Sequence, residues 1–344
     1  MFREQEIFLS NKGDMLVKYI FDRKVNRDTD ASIIKIIAAF FVVLIHTAGN
    51  ETSYALALNG FARFSVPLFV MLSGRYILAK ERSFAYLIKK SLHLFVIMLV
   101  WSAVFYLYYS HVGNTSRMSI ADYLLCGPAH LWYIWAAIAL YLISPFLYVF
   151  CKNTPRHIYK YALVCFFVLG TFVFISLRAG ISQTLAAIVE RAKLPYQFGF
   201  VFCFLYGDYC RRYNFRMPLP LALVGFICFG AITAISAIHL PEEIALSFFY
   251  PSAIISAVFL YGIFAHREYG VQEQVQRRVN WARECTLGIY LMHPLFEVLC
   301  SNLASYILTA DNILYLMVCT ILAFVLSFAA TAIIKTIPMV NKLV

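Results

Sequence analysis

Apolar residues run through the sequence in long blocks that are separated by short polar segments. A helix needs about 20 mainly apolar residues to cross the hydrocarbon core of a bilayer. Blocks that meet this length lie approximately at 31–48, 61–79, 88–110, 129–150, 158–177, 195–210, 218–239, 244–265, 284–306 and 312–335. The pattern therefore predicts an all-α, polytopic membrane protein with about ten transmembrane helices.

Lysine and arginine residues are distributed unevenly between the connections of these predicted spans. The even-numbered connections and the two end segments carry 22 of them, whereas the odd-numbered connections carry four. Cytoplasmic loops are enriched in Lys and Arg, so both termini are predicted to be cytoplasmic. We divide the chain into a cytoplasmic segment at 1–30, a transmembrane domain at 31–336 and a cytoplasmic tail at 337–344. The charged connection at 266–283 is expected to contain a short surface helix.

Composition supports the membrane assignment and argues against several kinds of partner and site. Hydrophobic residues make up 62% of the 344 positions and charged residues 14%, with a mean hydropathy of +0.73, whereas soluble domains average about 45–50% and 25%. The net charge of +11 is explained by cytoplasmic cations, so nucleic acid is not expected as a partner. The nine cysteines lack paired spacing, so neither a disulfide framework nor a structural metal site is expected.

The first predicted span carries a lysine near its start and a histidine near its end. Lys35 and His46 are eleven residues apart, which places them within about 20° of each other around a helix and roughly 16 Å apart along it. Ionisable groups inside a membrane-length helix are costly and usually functional. His46 is suited to act as a base near neutral pH, but a catalytically idle histidine at a helix end fits equally well. Lys35 alone is also compatible with snorkelling to the lipid headgroups.

The second predicted span combines an arginine with residues that disturb helices. Arg63 is able to bind a carboxylate or phosphate, or to stabilise an oxyanion. Pro67 and the Ser73–Gly74 pair are residues at which membrane helices bend and expose backbone groups to a cavity. The alternative interpretation is that Arg63 anchors the helix at the interface and Pro67 is a packing kink.

Two further stretches place histidines next to aromatic residues or proline. The fourth span opens with His130, Trp132 and Tyr133. Trp and Tyr at the end of a span usually form an aromatic belt at the membrane interface. The functional alternative is a platform on which a sugar ring stacks. His293 lies about half way along the ninth span and precedes Pro294. A buried histidine that bonds to a neighbouring helix explains this position as well as a binding role does.

Taken together, these four stretches resemble the acyltransferase-3 family, whose ten-helix inner-membrane enzymes O-acylate bacterial surface glycans. The family signature in the first span is an Arg or Lys, ten residues and a His, and Lys35 and His46 fit it. The segments at 63–74, 130–133 and 288–294 are similar to further motifs of the family. The resemblance covers most of the chain, from about residue 30 to residue 335.

The resemblance implies an inner-membrane O-acetyltransferase that moves an acyl group from cytoplasmic acetyl-CoA to a hydroxyl of a surface or lipid-linked glycan. His46 is then the base or transient acyl carrier, and Arg63 stabilises the oxyanion. Lys35 and Arg75 are expected to bind coenzyme A phosphates, since the roughly 16 Å between Lys35 and His46 is comparable with a pantetheine arm. No metal is expected. The residues expected to contact the acceptor are His130, Trp132, Tyr133 and His293.

Two other classes of protein stay open from the residues alone. A secondary transporter or polysaccharide exporter also contains broken helices and intramembrane ions, although it usually shows internal repeats, which we do not detect in this sequence. A non-catalytic membrane sensor or scaffold would tolerate the loss of His46. Substrate flux that is independent of acyl-CoA would identify the transporter, and full function of the His46→Ala variant would identify the sensor.

Overall fold

The computed structural model describes residues 29–111, 119–178, 198–265, 267, 272–305, 312–338 and 340–344. This part of the chain is helical and contains no β-strand. The helices, numbered in chain order, are α1 (Thr29–Ala48), α2 (Ser53–Ala62), α3 (Ser65–Ile77), α4 (Phe84–His111), α5 (Ile120–Cys126), α6 (Trp132–Asn153), α7 (Arg156–Arg178), α8 (Phe198–Arg212), α9 (Leu219–His239), α10 (Glu242–Ala245), α11 (Pro251–Phe264), α12 (Glu273–Glu284), α13 (Thr286–Ala304) and α14 (Ile313–Ile334). Short 3₁₀ turns lie at Ala129–Leu131 and Val340–Leu343.

Within the described residues, seven helical segments are long and apolar enough to cross a membrane. They are α1, α2 with α3, α4, the turn at Ala129–Leu131 with α6, α9, α13 and α14. Large apolar side chains on their outer faces are exposed, for example Phe146 at 74% and Leu107 at 69%. An exposed apolar surface of this kind matches contact with lipid. The chain is therefore an all-helical, polytopic membrane protein, whereas about ten spans and cytoplasmic termini stay predictions.

The second predicted span begins earlier than expected and is broken into α2 and α3 at Arg63 and Phe64. Pro67 has no N–H to donate to the Arg63 carbonyl, so one backbone hydrogen bond across this point is missing. α3 continues without interruption through Ser73 and Gly74. The helix is therefore not broken at that pair, and the break lies one turn before Pro67.

The eighth predicted span, at 244–265, is also divided. α10 is a single turn, and α11 begins only at Pro251, whose fixed φ angle suits the first position of a helix. α11 has 14 residues and is shorter than a usual membrane span. The charged connection that follows contains α12, so the short helix expected there is confirmed.

α1 is enclosed by other helices. Its consecutive residues Val42, Val43 and Leu44 belong to three separate apolar clusters, formed mainly with α3 and α8, with α13 and α14, and with α2 and α14 respectively. Successive side chains point about 100° apart around a helix, so neighbours surround α1 on several sides. The helix ends at Ala48 because Gly49 follows in the left-handed conformation, with φ at +61°.

α3 and α8 pack backbone against backbone through two glycines. A Cβ atom at Gly74 would lie 1.8 Å from the carbonyl oxygen of Phe204, and one at Gly207 would lie 1.8 Å from that of Met71. Membrane helices approach this closely only where small residues form the interface. The contact fixes α3 beside α8 and leaves the other face of α3 to line the cavity described next.

Candidate functional site

Three histidines from separate elements meet near the end of α1. The ring of His293, on α13, lies 4.7 Å from that of His46, measured between centroids. The ring of His130, in the turn before α6, lies 6.4 Å from His46 and 5.5 Å from His293. His130 and His293 are buried, and His46 is half-buried. We call these three residues the histidine cluster.

The ring nitrogens of the cluster are only partly bonded. Nδ1 of His293 lies 2.8 Å from the carbonyl oxygen of Tyr290 and 3.2 Å from that of Ile289. The Nε2 atoms of His293 and His130 are buried and have no hydrogen-bond partner among the described residues. In the same part of the chain, no group of three His, Cys, Asp or Glu side chains is placed to hold a metal ion.

Arg63 lies at the break between α2 and α3 and is held close to the end of α1. Its Nη2 donates to Oδ1 of Asn59 at 2.6 Å, and Nδ2 of Asn59 donates to the carbonyl oxygen of Gly49 at 2.9 Å. The guanidinium carbon lies 4.9 Å from the centre of the Phe248 ring. Nε of Arg63 is buried without a partner in the described part of the chain, and Arg63 interacts electrostatically with His46. An N–H donor is thus available beside the histidine cluster.

A cavity of about 370 Å³ runs along α1 and contains Lys35 at one end. Lys35 interacts electrostatically with Glu284 and Lys335, which also line the cavity. A second cavity of about 320 Å³ shares Lys35 and Glu284 and extends to Arg283. We call the charged end the lysine mouth, formed by Lys35, Lys90, His93, Glu284 and Lys335. Lys335 also donates to the main-chain oxygen of Val344 at 3.4 Å, and the three lysines give this end of the cavity a concentration of positive charge.

Tyr133 and Tyr290 line the same cavity, and Tyr290 also contacts the histidine cluster. Their ring centroids are 6.1 Å apart. The hydroxyl of Tyr290 donates to the carbonyl oxygen of His130, and its ring lies 6.4 Å from that of His293. Val42, which also lines the cavity, is one turn before His46. The cavity therefore extends from the lysine mouth to an aromatic pair, of which Tyr290 contacts the cluster.

Trp132 belongs to an aromatic row beside Arg63. Its ring stacks on Phe248 at 5.5 Å with an interplanar angle of 27°, and on Phe200 at 5.9 Å and 12°. Since Phe248 also lies under the guanidinium of Arg63, the row joins the arginine to Trp132. Trp132 is 36% exposed, so part of this aromatic surface is open.

Arg75 occupies a different environment from the one expected for a residue that binds the acyl donor. It is 4% exposed and forms two hydrogen bonds with the carboxylate of Asp30, at 2.9 and 3.0 Å. Arg75 is not among the residues that line either cavity at Lys35. Its predicted binding of coenzyme A stays a prediction, and the geometry favours a structural role.

The sequence pattern missed several members of the site. Lys90, His93 and Lys335 resemble ordinary loop cations, and Phe248 lies within a block that was expected to be one continuous span. The three-residue spacing of Lys90 and His93 at the start of α4 places both on one helix face. That spacing was the available signal that these two basic residues line one cavity.

Comparison with known proteins identifies one match. The family model described as an acyltransferase domain matches residues 29–332, which include the whole histidine cluster and every residue that lines the two cavities except Lys335 and Val344. No curated protein and no solved structure matches the chain significantly.

Proposed function

The chain belongs to the acyltransferase-3 family of membrane acyltransferases, and from this premise we propose that it transfers an acetyl group from acetyl-CoA to a glycan hydroxyl. The observation that carries the proposal is the cavity along α1, which runs from the lysine mouth to Tyr290, a residue that contacts the histidine cluster. We place the protein in the bacterial inner membrane, with the lysine mouth on the cytoplasmic side. Family membership does not favour the transporter alternative.

The lysine mouth is the proposed site for the phosphates of coenzyme A. Lysine ammonium groups bind phosphate as compact point charges, and Lys35, Lys90 and Lys335 come from three different parts of the chain. The pantetheine arm would follow α1 from Lys35 to Val42, a distance of about 10 Å for seven residues. His46 lies one turn further along, beyond Tyr290. We therefore expect the ring of Tyr290 to move when the donor enters.

The histidine end supplies the groups that acetyl transfer requires. His46 accepts the proton of the acceptor hydroxyl while the hydroxyl oxygen attacks the thioester carbonyl carbon. Arg63 donates a hydrogen bond to the oxyanion of the tetrahedral intermediate. When the intermediate collapses, the carbon–sulfur bond breaks and the coenzyme A thiolate receives the proton from His46. The alternative is a two-step transfer in which His46 first accepts the acetyl group and then passes it to the acceptor hydroxyl. This route uses the same side chains.

The acceptor is proposed to bind on the aromatic side of Arg63. The partly exposed ring of Trp132 and the adjacent Phe248 provide an apolar face of the kind that stacks on sugar rings, with Tyr133, His130 and His293 nearby. The overall size of the chain and its Val-Pro-Leu-Phe segment resemble those of the enterobacterial common antigen O-acetyltransferase. We therefore propose a surface or lipid-linked glycan as the acceptor.

Release of coenzyme A from radiolabelled acetyl-CoA by the purified protein tests the proposal. We expect turnover by the wild type in the presence of a membrane glycan fraction, and a loss of about 10²–10⁴-fold in His46→Ala, because the proton acceptor is removed. His239→Ala is the matched control, since His239 is exposed at the end of α9. Equal turnover of the wild type and His46→Ala, with both folded, would contradict the assignment.

A further inference from the structure

Pro294 creates a free carbonyl on α13 next to the histidine cluster. In a regular helix, the N–H of residue 294 would donate to the carbonyl oxygen of Tyr290, four residues earlier. Proline has no N–H, so this bond is absent although α13 continues through Pro294. The Tyr290 carbonyl oxygen instead lies 2.8 Å from Nδ1 of His293. The proline thus provides an acceptor for the histidine that precedes it.

This contact determines which nitrogen of His293 carries the proton. A carbonyl oxygen only accepts hydrogen bonds, so Nδ1 must be the donor. His293 is 0% exposed, and a charged imidazolium without a counter-ion would be costly there. The neutral ring therefore has its lone pair on Nε2. That atom is buried and unpartnered within the described residues.

His46 is the nearest ring to this acceptor within the cluster. Its centroid lies 4.7 Å from that of His293, with 47° between the ring planes, so a hydrogen bond between the two rings would require rotation of the half-buried His46 ring towards Nε2. The ring of His130 lies further from His293, with 5.5 Å between the centroids. The geometry thus pairs the unpartnered lone pair of His293 with the proposed catalytic base.

We propose that His293 is a positioning residue that accepts a hydrogen bond from His46 through Nε2. This inference rests on the proposed function of His46. The bond fixes the proton of His46 on the nitrogen that faces His293 and leaves the lone pair of the other nitrogen for the substrate. It also stabilises the positive charge that His46 gains when it takes a proton, as the carboxylate does in a Ser-His-Asp triad. Pro294 acts on His46 indirectly: it leaves the Tyr290 carbonyl free, and this carbonyl fixes the tautomer of His293.

Two substitutions of His293 separate this role from a merely structural one. In His293→Asn, the side-chain amide reaches the position of Nδ1, so this variant keeps a donor to the Tyr290 carbonyl but offers no acceptor to His46. The longer amide of His293→Gln reaches the position of Nε2 and offers an oxygen there. We expect turnover to fall about 10²-fold in His293→Asn and clearly less in His293→Gln. A structural role for His293 requires the opposite order.

The second readout is the tautomer of His46, measured by ¹⁵N NMR on histidine-labelled protein and assigned with His46→Gln. The wild type and His293→Gln should show one protonated nitrogen on His46, and His293→Asn should show a mixture. A single, unchanged tautomer in His293→Asn, or higher turnover in His293→Asn than in His293→Gln, would overturn the proposal. This measurement needs no substrate. If the wild type releases no coenzyme A but the tautomer changes as expected, only the proposed function fails.

Discussion

Asp30 and Arg75 form a buried, two-bonded ion pair that joins the start of α1 to α3. Nη1 of Arg75 lies 2.9 Å from Oδ2 of Asp30, and Nη2 lies 3.0 Å from Oδ1. The two residues are 0% and 4% exposed. Lys35, which lines both cavities, is little more than one turn after Asp30. The pair therefore fixes the part of α1 from which Lys35 projects.

Substitution of Asp30 should destabilise the protein. Asp30→Asn removes the carboxylate charge that pairs with the buried guanidinium of Arg75, and removal of one partner of a buried ion pair typically costs about 3–5 kcal/mol. We expect a clear decrease in Tm of the detergent-solubilised protein. The control is Glu273→Gln, which removes an ion pair with Arg277 whose side chains are 62% and 76% exposed. Exposed pairs contribute about 0–1 kcal/mol, so an equal decrease in both variants would contradict the structural role of Arg75.

Removal of the Arg63 guanidinium should reduce turnover without unfolding the chain. Loss of one oxyanion donor typically costs about 10²–10³ in rate, and we expect a decrease of this size in kcat for Arg63→Ala. Arg63→Lys should retain part of the activity, because it keeps the charge but not the planar set of N–H donors. Full turnover of a folded Arg63→Ala variant would show that another group stabilises the oxyanion.

Neutralisation of the lysine mouth should weaken binding of the donor rather than catalysis. Lys90 lines the cavity and the adjacent Lys89 does not, so the two lysines form a matched pair. We expect Lys90→Met to raise the KM for acetyl-CoA roughly tenfold, or about 1.4 kcal/mol, with little change in kcat. Lys89→Met should behave as the wild type. Identical KM values for both variants would place the coenzyme A phosphates elsewhere.

Local patterns predicted the helices and the chemical types of the site residues, but not their partners. The apolar block of α1 and the helical spacing of Lys35 and His46 depend only on neighbours in sequence. The contact of His46 with His293 joins positions 247 residues apart and arises only when α13 packs against α1. The ion pair of Arg75 could not be predicted in the same way, because its carboxylate partner, Asp30, lies 45 residues away. Charge alone does not distinguish a ligand contact from an internal ion pair.

Pro294→Ala should reduce activity although it restores a regular helical bond. The new N–H at position 294 would compete with Nδ1 of His293 for the Tyr290 carbonyl, and the tautomer of His293 would become less defined. We expect a loss of turnover of about tenfold, together with unchanged or higher Tm. The ¹⁵N NMR spectrum of His293 provides the direct check. An unchanged His293 tautomer would show that the Ile289 carbonyl, 3.2 Å from Nδ1, is sufficient.

The contact between α3 and α8 should be the part of the fold most sensitive to a single methyl group. Alanine at position 74 or 207 would place Cβ 1.8 Å from a backbone carbonyl oxygen, so one helix must shift as a whole. Overpacking usually costs about 1–3 kcal/mol and sometimes more, and we expect both variants to reach at least the upper end of that range.

Gly225→Ala on α9 is the control for this contact, because its Cβ would meet the side chain of Phe259 at 2.4 Å, and a side chain is able to rotate. The decrease in Tm should therefore be larger for Gly74→Ala and Gly207→Ala than for Gly225→Ala. The double variant at 74 and 207 should lose less than the sum of the single losses, since one separation of the helices relieves both clashes. Additive losses would mean that the two glycines serve independent contacts. The shift should also alter the cavity, because Phe69 and Ser73 on α3 line it, and turnover should fall along with Tm.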